Sequence, residues 1–124
     1  MEKTMRRIFG ALLSVFLLIG CQTSTNTIET ITGQQAYERL QKETAAIIID
    51  VRRVDVYKSG HIPGAINIPL DELESAQLPD KEETIYLYCR TGNRSGKAAK
   101  ILADMGYEHI VDFGGIQSWP GEVE

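Results

Sequence analysis

Apolar residues fall into blocks along this chain, and their spacing changes from block to block. Ile8 to Ile19 is a run of twelve broken only by Gly10 and Ser14, with Lys3, Arg6 and Arg7 just before it. A membrane-spanning helix needs about 20 apolar residues, so this run is short for a permanent span and suits the apolar core of an export signal. Gln22 to Thr27 is polar, uncharged and without period, which reads as a tether. The folded domain is therefore placed at residues 28–124.

Within that domain the pattern alternates between two periods. Thr32 and Gln35 have capping-box spacing, and Ala36, Tyr37 and Leu40 follow as one helical face. Ala45 to Ile49 is a continuous apolar run that ends at Asp50 and suits a strand covered on both faces. Ala65 to Ile68 and Ile85 to Tyr88 are shorter strand candidates, with a short helix over Asp71 to Ala76 between them. Ala98, Ile101, Leu102 and Met105 keep the i, i+3, i+4, i+7 spacing of an amphipathic helix that stops at Gly106. Ile110 to Phe113 is a last strand, and Gly114-Gly115 opens a turn or short helix carrying Trp119. Strands alternating with helices predict an α/β domain with a largely parallel sheet.

Composition adds two limits. With 43% hydrophobic and 24% charged residues, the 124-residue chain can bury a core for one domain. The formal charge is −4, and removing residues 1–20 takes away Lys3, Arg6, Arg7 and Glu2, which leaves −6. That balance argues against nucleic acid as a partner, since nucleic-acid binding needs a basic footprint. A small basic site within an acidic protein remains open.

The chemistry concentrates in Tyr88-Cys89-Arg90-Thr91-Gly92-Asn93-Arg94-Ser95. An apolar strand ends on Cys89, and a helix begins about five residues later. In open α/β sheets ligands bind beyond the carboxyl ends of the strands. There Cys89 meets loop amides and the positive end of a helix, with Arg90 and Arg94 as added cations. Each of these features favours thiolate over thiol, and the ring of N–H donors suits an anion. Gly92 allows the tight turn. Asp50 and Arg52, at another strand end, read as structural partners, with Asp50 accepting loop amides or pairing with an arginine. His61 reads as a turn residue and His109 as a surface one. Two histidines so far apart make no metal pattern.

Two resemblances extend these readings. Leu18-Ile19-Gly20-Cys21 resembles the lipobox of bacterial lipoproteins. It implies a signal peptide over residues 1–20, a diacylglyceryl group on Cys21, a tether over 21–27, and an extracytoplasmic domain lipid-anchored to a bacterial membrane. Cys21 is then unavailable for a disulfide, and Cys89 is a lone thiol in an oxidising compartment.

The run Cys89 to Arg94 resembles the active-site loop of the rhodanese family. Asp50-Val51-Arg52, the stretch Asp55 to Ala65 with Gly60-His61-Ile62-Pro63-Gly64-Ala65, and Gly114-Gly115…Trp119 match the family's other motifs. The resemblance implies a rhodanese-like α/β fold, a five-stranded largely parallel sheet with helices on both faces. It implies a sulfurtransferase in which Cys89 takes sulfur from a small anionic donor such as thiosulfate. A thiol, or cyanide in an assay, then removes it. The amides of Arg90, Thr91, Gly92, Asn93, Arg94 and Ser95 are expected to cradle the transferred sulfur, with Arg90 and Arg94 drawing in the donor. Arg94 is also a candidate to fasten the loop from inside. No metal or organic cofactor is implied. Related phosphatases place five residues between Cys and Arg, whereas four separate Cys89 from Arg94, a ring better suited to a persulfide than to phosphate. The alternative is a low-turnover module that carries a persulfide or senses oxidants.

Overall fold

In the computed structural model, which describes residues 26–124, five strands lie parallel in one sheet. They are β1 (Thr27–Thr30), β2 (Ile47–Asp50), β3 (Ile66–Asn67), β4 (Thr84–Cys89) and β5 (His109–Gly115), in the order β1-β5-β4-β2-β3. Helices α1 (Gly33–Leu40), α2 (Val54–Lys58) and α3 (Asn93–Asp104) connect them, with 3₁₀ turns at Leu70–Ser75 and Ile116–Ser118. The expected fold class, a parallel five-stranded α/β sheet flanked on both faces, is the observed one. The apolar run at Ile8 to Ile19 and the lipidation candidate Cys21 lie outside the described residues.

Period-two alternation along β4 sorts its side chains between two cores. Ile85, Leu87 and Cys89 pack with Ile49, Ile110, Leu102 and Leu73 on the α3 face. Tyr86 and Tyr88 pack with Ala36, Val111 and Phe113 on the α1 face, where Trp119 covers the cluster. Both faces of β4 are thus removed from water, which places it at the centre of the sheet. Tyr57 of α2 joins the α1-face cluster, while the segment after β4 goes to the other face. β2 and β4 are neighbours whose following segments leave to opposite sides. Their carboxyl ends therefore flank the point where an open α/β sheet gathers its ligands.

The helix ends follow the sequence signals. Thr32 and Gln35 close the capping box reciprocally. Gly106, at φ +102°, ends α3 in a Schellman arrangement: its N–H donates to the Ala103 carbonyl, and the Tyr107 N–H donates to that of Leu102. Three elements differ from the pattern. The short helix expected over residues 71–76 is instead a 3₁₀ turn over Leu70–Ser75, and the strand expected at residues 65–68 contracts to Ile66–Asn67. β1 starts at Thr27, inside the stretch that reads as tether. All four of its residues are exposed, so the strand carries no apolar signal. Backbone pairing to β5 holds it, and the Asn26 side chain docks on the carbonyls of Ala103 and Tyr107.

Candidate active site

Cys89 is the last residue of β4, and only 2% of it is exposed. Arg90, Thr91 and Gly92 turn the chain into α3. Gly92 sits at φ +105°, a conformation glycine adopts without a Cβ penalty. Its N–H donates to Cys89 Sγ at 2.9 Å, and its carbonyl accepts from the Gly96 N–H at 3.0 Å. One residue thus contacts the sulfur and starts the helix. The next amides, of Asn93, Arg94 and Ser95, have no acceptor inside the helix and stand at its positive end. Of the expected cradle, Gly92 is the amide that touches the bare thiol.

Above the sulfur is an open cavity of about 470 Å³. Arg90, Thr91, Asn93 and Arg94 of the loop line it, and Leu70, Lys97 and Gln117 join them. Arg90, Arg94 and Lys97 supply three cations, and no carboxylate lines the cavity. A mouth lined by one sign of charge concentrates the opposite ion, even on an acidic protein.

The wall of the site comes from β5. Leu87 pairs with Asp112 and Cys89 with Gly115, so two steps along β4 match three along β5. This bulge, with Gly114 at φ +82°, bends the strand around the loop. A Cβ on Gly115 would stand 2.3 Å from the Arg90 carbonyl oxygen and 2.9 Å from Thr91 Cα. Asp112 holds the junction from below. One of its carboxylate oxygens accepts from Ser95 Oγ at 2.7 Å and from the Gly114 N–H at 3.0 Å. Ser95 is therefore buried beneath the loop, and Arg94 is exposed at its mouth. Fastening from inside falls to Ser95 and Asp112 rather than Arg94.

Asp50 and Arg52 form a second buried cluster at the end of β2. The Arg52 N–H donates to Asp50 Oδ1 at 2.9 Å, and the guanidinium donates to both carboxylate oxygens at 2.6–2.9 Å and to the Gly60 carbonyl at 2.7 Å. Burial opposes the charge on Arg52, but Asp50 outweighs it and the guanidinium pKa is raised. The Arg52 guanidinium lies over the Tyr88 ring, 5.5 Å from its centroid, and the Tyr88 hydroxyl accepts from the Ile62 N–H. Burial, then the Asp50 carboxylate, push the Tyr88 phenol well above its usual range. Asn67 donates to the carbonyls of Asp50 and Arg52, joining β3 to the same cluster. His61 stacks on Tyr57 at 3.8 Å, and its Nδ1 is 3.0 Å from the Tyr57 carbonyl. Its backbone exchanges hydrogen bonds with Glu124. None of these residues lines the cavity over Cys89.

The site residues missed in the sequence are Asp112, Lys97, Gln117 and Leu70. Two had signals. Asp112 is a carboxylate inside an apolar run, and Lys97 is one helical turn beyond Asn93. Gln117 and Leu70 arrive through the fold.

A buried strand-end cysteine under a helix N-terminus and a cationic mouth defines a class: α/β domains that bind anions against a nucleophilic sulfur. Within it, the model of the rhodanese-like domain matches residues 32–122. The chain belongs to this rhodanese-like family of sulfurtransferase domains. Among its relatives is the thiosulfate sulfurtransferase PspE of Escherichia coli (strain K12), 44% identical over 72 residues, covering 56% of this chain and 69% of PspE. The putative sulfur carrier protein YrkF of Bacillus subtilis (strain 168) is 30% identical over 120 residues, covering 93% of this chain and 65% of YrkF. A solved rhodanese with anions from E. coli superposes with TM-score 0.59 at 40% identity, over 64% of this chain and 98% of that one. A rhodanese-like domain protein from Staphylococcus aureus gives 0.69 at 29% identity, over 77% and 96%.

Two substitutions separate the wall of the site from the ion pair at the end of β2. Gly115→Ala forces the Arg90 carbonyl to move, so sulfur-transfer activity should fall by about tenfold or more, as a misplacement of about 1 Å can do; kinetics beside a circular dichroism spectrum check it. Asp50→Ala leaves Arg52 buried without its carboxylate and should cost about 3–5 kcal/mol in urea unfolding, with Asp50→Ala/Arg52→Met recovering part of the loss.

Proposed function

We propose that this protein moves a sulfane sulfur from a small anionic donor such as thiosulfate to a thiophilic acceptor through a persulfide on Cys89. The observation that carries the reading is the Gly92 N–H on Cys89 Sγ at the floor of a mouth lined by Arg90, Arg94 and Lys97. The cations draw in the dianionic donor. The Cys89 thiolate attacks the outer sulfur of thiosulfate. The sulfur–sulfur bond of the donor breaks, sulfite leaves with its electron pair, and a new bond joins the two sulfurs on Cys89. The outer persulfide sulfur is anionic, and the loop and helix amides are the donors that would hold it. Cyanide, or a thiolate, then attacks that sulfur. It leaves as thiocyanate or as a new persulfide and returns the Cys89 thiolate. The two displacements share one covalent intermediate, so ping-pong kinetics follow. No step calls for a metal, an organic cofactor or a protein acid, which is consistent with His61 lying outside the mouth.

The similarity to YrkF, named as a putative sulfur carrier, over 93% of the chain favours a second reading, in which Cys89 holds the persulfide with little turnover. For location, the basic segment, the apolar run and the Leu18-Ile19-Gly20-Cys21 sequence support a lipid anchor on Cys21 and an extracytoplasmic domain.

Thiosulfate treatment should add one sulfur atom to Cys89, and cyanide should remove it as thiocyanate; intact mass spectrometry reads both. Cys89→Ser should reduce thiocyanate formation to background, and an unchanged rate would sink the mechanism. Rapid loading with slow release would select the carrier reading. Cys21→Ser should release the protein from membranes or block its processing; unchanged partition and mature mass would remove the anchor.

A further inference from the structure

We infer that the acceptor of the Cys89 sulfur is a small thiol with carboxylates of its own, and that Lys97 selects it by binding them. The inference rests on the sulfur-transfer reading proposed above and narrows its acceptor to one chemical class.

The site offers more room than the donor fills. Thiosulfate is two sulfurs and three oxygens. The cavity over Cys89 measures about 470 Å³, inside the range of about 300–1,000 Å³ that takes ligands of many more atoms. The order of the two displacements says which reactant uses that room. The donor's outer sulfur becomes the persulfide sulfur, about 2 Å beyond Sγ. Sulfite then leaves, and the acceptor sulfur approaches in line with the bond it breaks. It therefore takes the place that the sulfonate sulfur held. Sulfonate oxygens stand one bond from that place. The carboxylate oxygens of a mercaptocarboxylic acid stand three or four bonds from it, about 3 Å farther out at about 1.5 Å per bond.

The lining sets a cation back by a comparable step. Asn93 and Lys97 are i and i+4 on α3, with Cβ atoms about 5–6 Å apart on one face. Asn93 belongs to the turn whose free amides stand at the sulfur. Lys97 is one turn beyond it and, like Arg94, is exposed and lines the cavity. Arg90 and Arg94 are loop residues beside the sulfur, placed for the short donor. Lys97 is the cation left for a longer reactant. Gln117 brings an amide that can donate to a carboxylate, and Leu70 offers an apolar side chain to the carbons between thiol and carboxylate. Asp71 and Glu72, next to Leu70 in the chain, stay out of the lining. An anionic acceptor thus meets no like charge in the cavity, whereas a cationic thiol meets three.

In the step itself the acceptor thiolate attacks the outer persulfide sulfur. A bond forms between these two sulfurs, and the bond to Sγ breaks. Cys89 leaves as thiolate with the electron pair, and the acceptor departs as its persulfide. No outside oxidant or reductant enters.

The test follows sulfite release from thiosulfate by purified full-length protein with four acceptors. They are mercaptosuccinate with two carboxylates, 3-mercaptopropionate with one, neutral 2-mercaptoethanol and cationic cysteamine. Under ping-pong kinetics kcat/KM for the acceptor reports the second displacement alone, so the donor's own attraction to the cations drops out. Comparing variant with wild type for one thiol cancels that thiol's intrinsic reactivity. Lys97→Gln should lower kcat/KM for mercaptosuccinate about threefold more than for 2-mercaptoethanol, the size of one exposed charge contact. Lys97→Glu should widen the gap to about tenfold and raise kcat/KM for cysteamine. Added salt should shrink the gap, since it screens exposed charges. Lys100→Gln, on α3 but outside the cavity lining, should keep the wild-type ratio. Intact mass after thiosulfate should show one added sulfur on every variant, which marks each as folded. Equal falls for all four thiols, or the same change of ratio from Lys100→Gln, overturn the inference. So does a wild type that releases no sulfite with any thiol while cyanide still yields thiocyanate. If thiosulfate adds no sulfur to wild-type Cys89, the sulfur-transfer reading fails first and the inference falls with it.

Discussion

At Gly115 the last strand passes so near the Arg90 carbonyl that a methyl group would stand 2.3 Å from the oxygen. That approach sets the position of the loop. Because β5 can close on Arg90 and Thr91, the chain after Cys89 has to turn at once, and Gly92 turns it with φ +105°. The turn aims the Gly92 N–H at Sγ and its carbonyl at the first turn of α3. The bulge between β4 and β5 and the Ser95–Asp112–Gly114 bonds keep the two strands in that relation. Sulfur, loop and helix are thus parts of one close contact, and a side chain at residue 115 would disturb all three.

The site also divides labour between its two flanking strands. β5 supplies the close wall over Cys89. β2 supplies a buried ion pair, Asp50 with Arg52, whose remaining hydrogen bonds reach Gly60 and whose backbone is held by Asn67. A buried pair of this kind is stable only when its donors and acceptors are met. Here they are met by the segment that leads to His61 and β3. The cluster therefore ties down the connection on the β2 side, beside Tyr88, without entering the mouth. Charged residues at two adjacent strand ends look alike in sequence, yet one set lines the cavity over Cys89 and the other braces the sheet.

Two hollows of opposite charge lie at the two ends of the sheet. Arg90, Arg94 and Lys97 line the one at the carboxyl end of β4, and Glu43, Asp80, Glu82 and Glu83 line the one at its start. The parallel sheet makes this separation possible, since every strand begins at one end and finishes at the other. The same polarity places Thr27, at the start of β1, and Cys89 at opposite ends of the sheet.

The loop around Cys89 was legible from its residues because its chemistry is local. Strand, turn and helix start follow one another within the stretch Thr84 to Asp104, and the capping box at Thr32 and the stop at Gly106 are equally local. Parallel order was legible too, from apolar runs alternating with helical spacing. β1 was not, because Thr27 to Thr30 are all exposed and only pairing to β5, far along the chain, makes them a strand. The roles of Asp112 and Gly115 and the arrival of Leu70 and Gln117 at the mouth were decided by tertiary structure alone, whereas Asp50, Arg52 and His61 stand apart from it in keeping with their reading as structural residues. Each depends on which strand ends up beside β4 and at what register. A linear pattern carries period and composition, whereas distance across a sheet comes only from the folded chain.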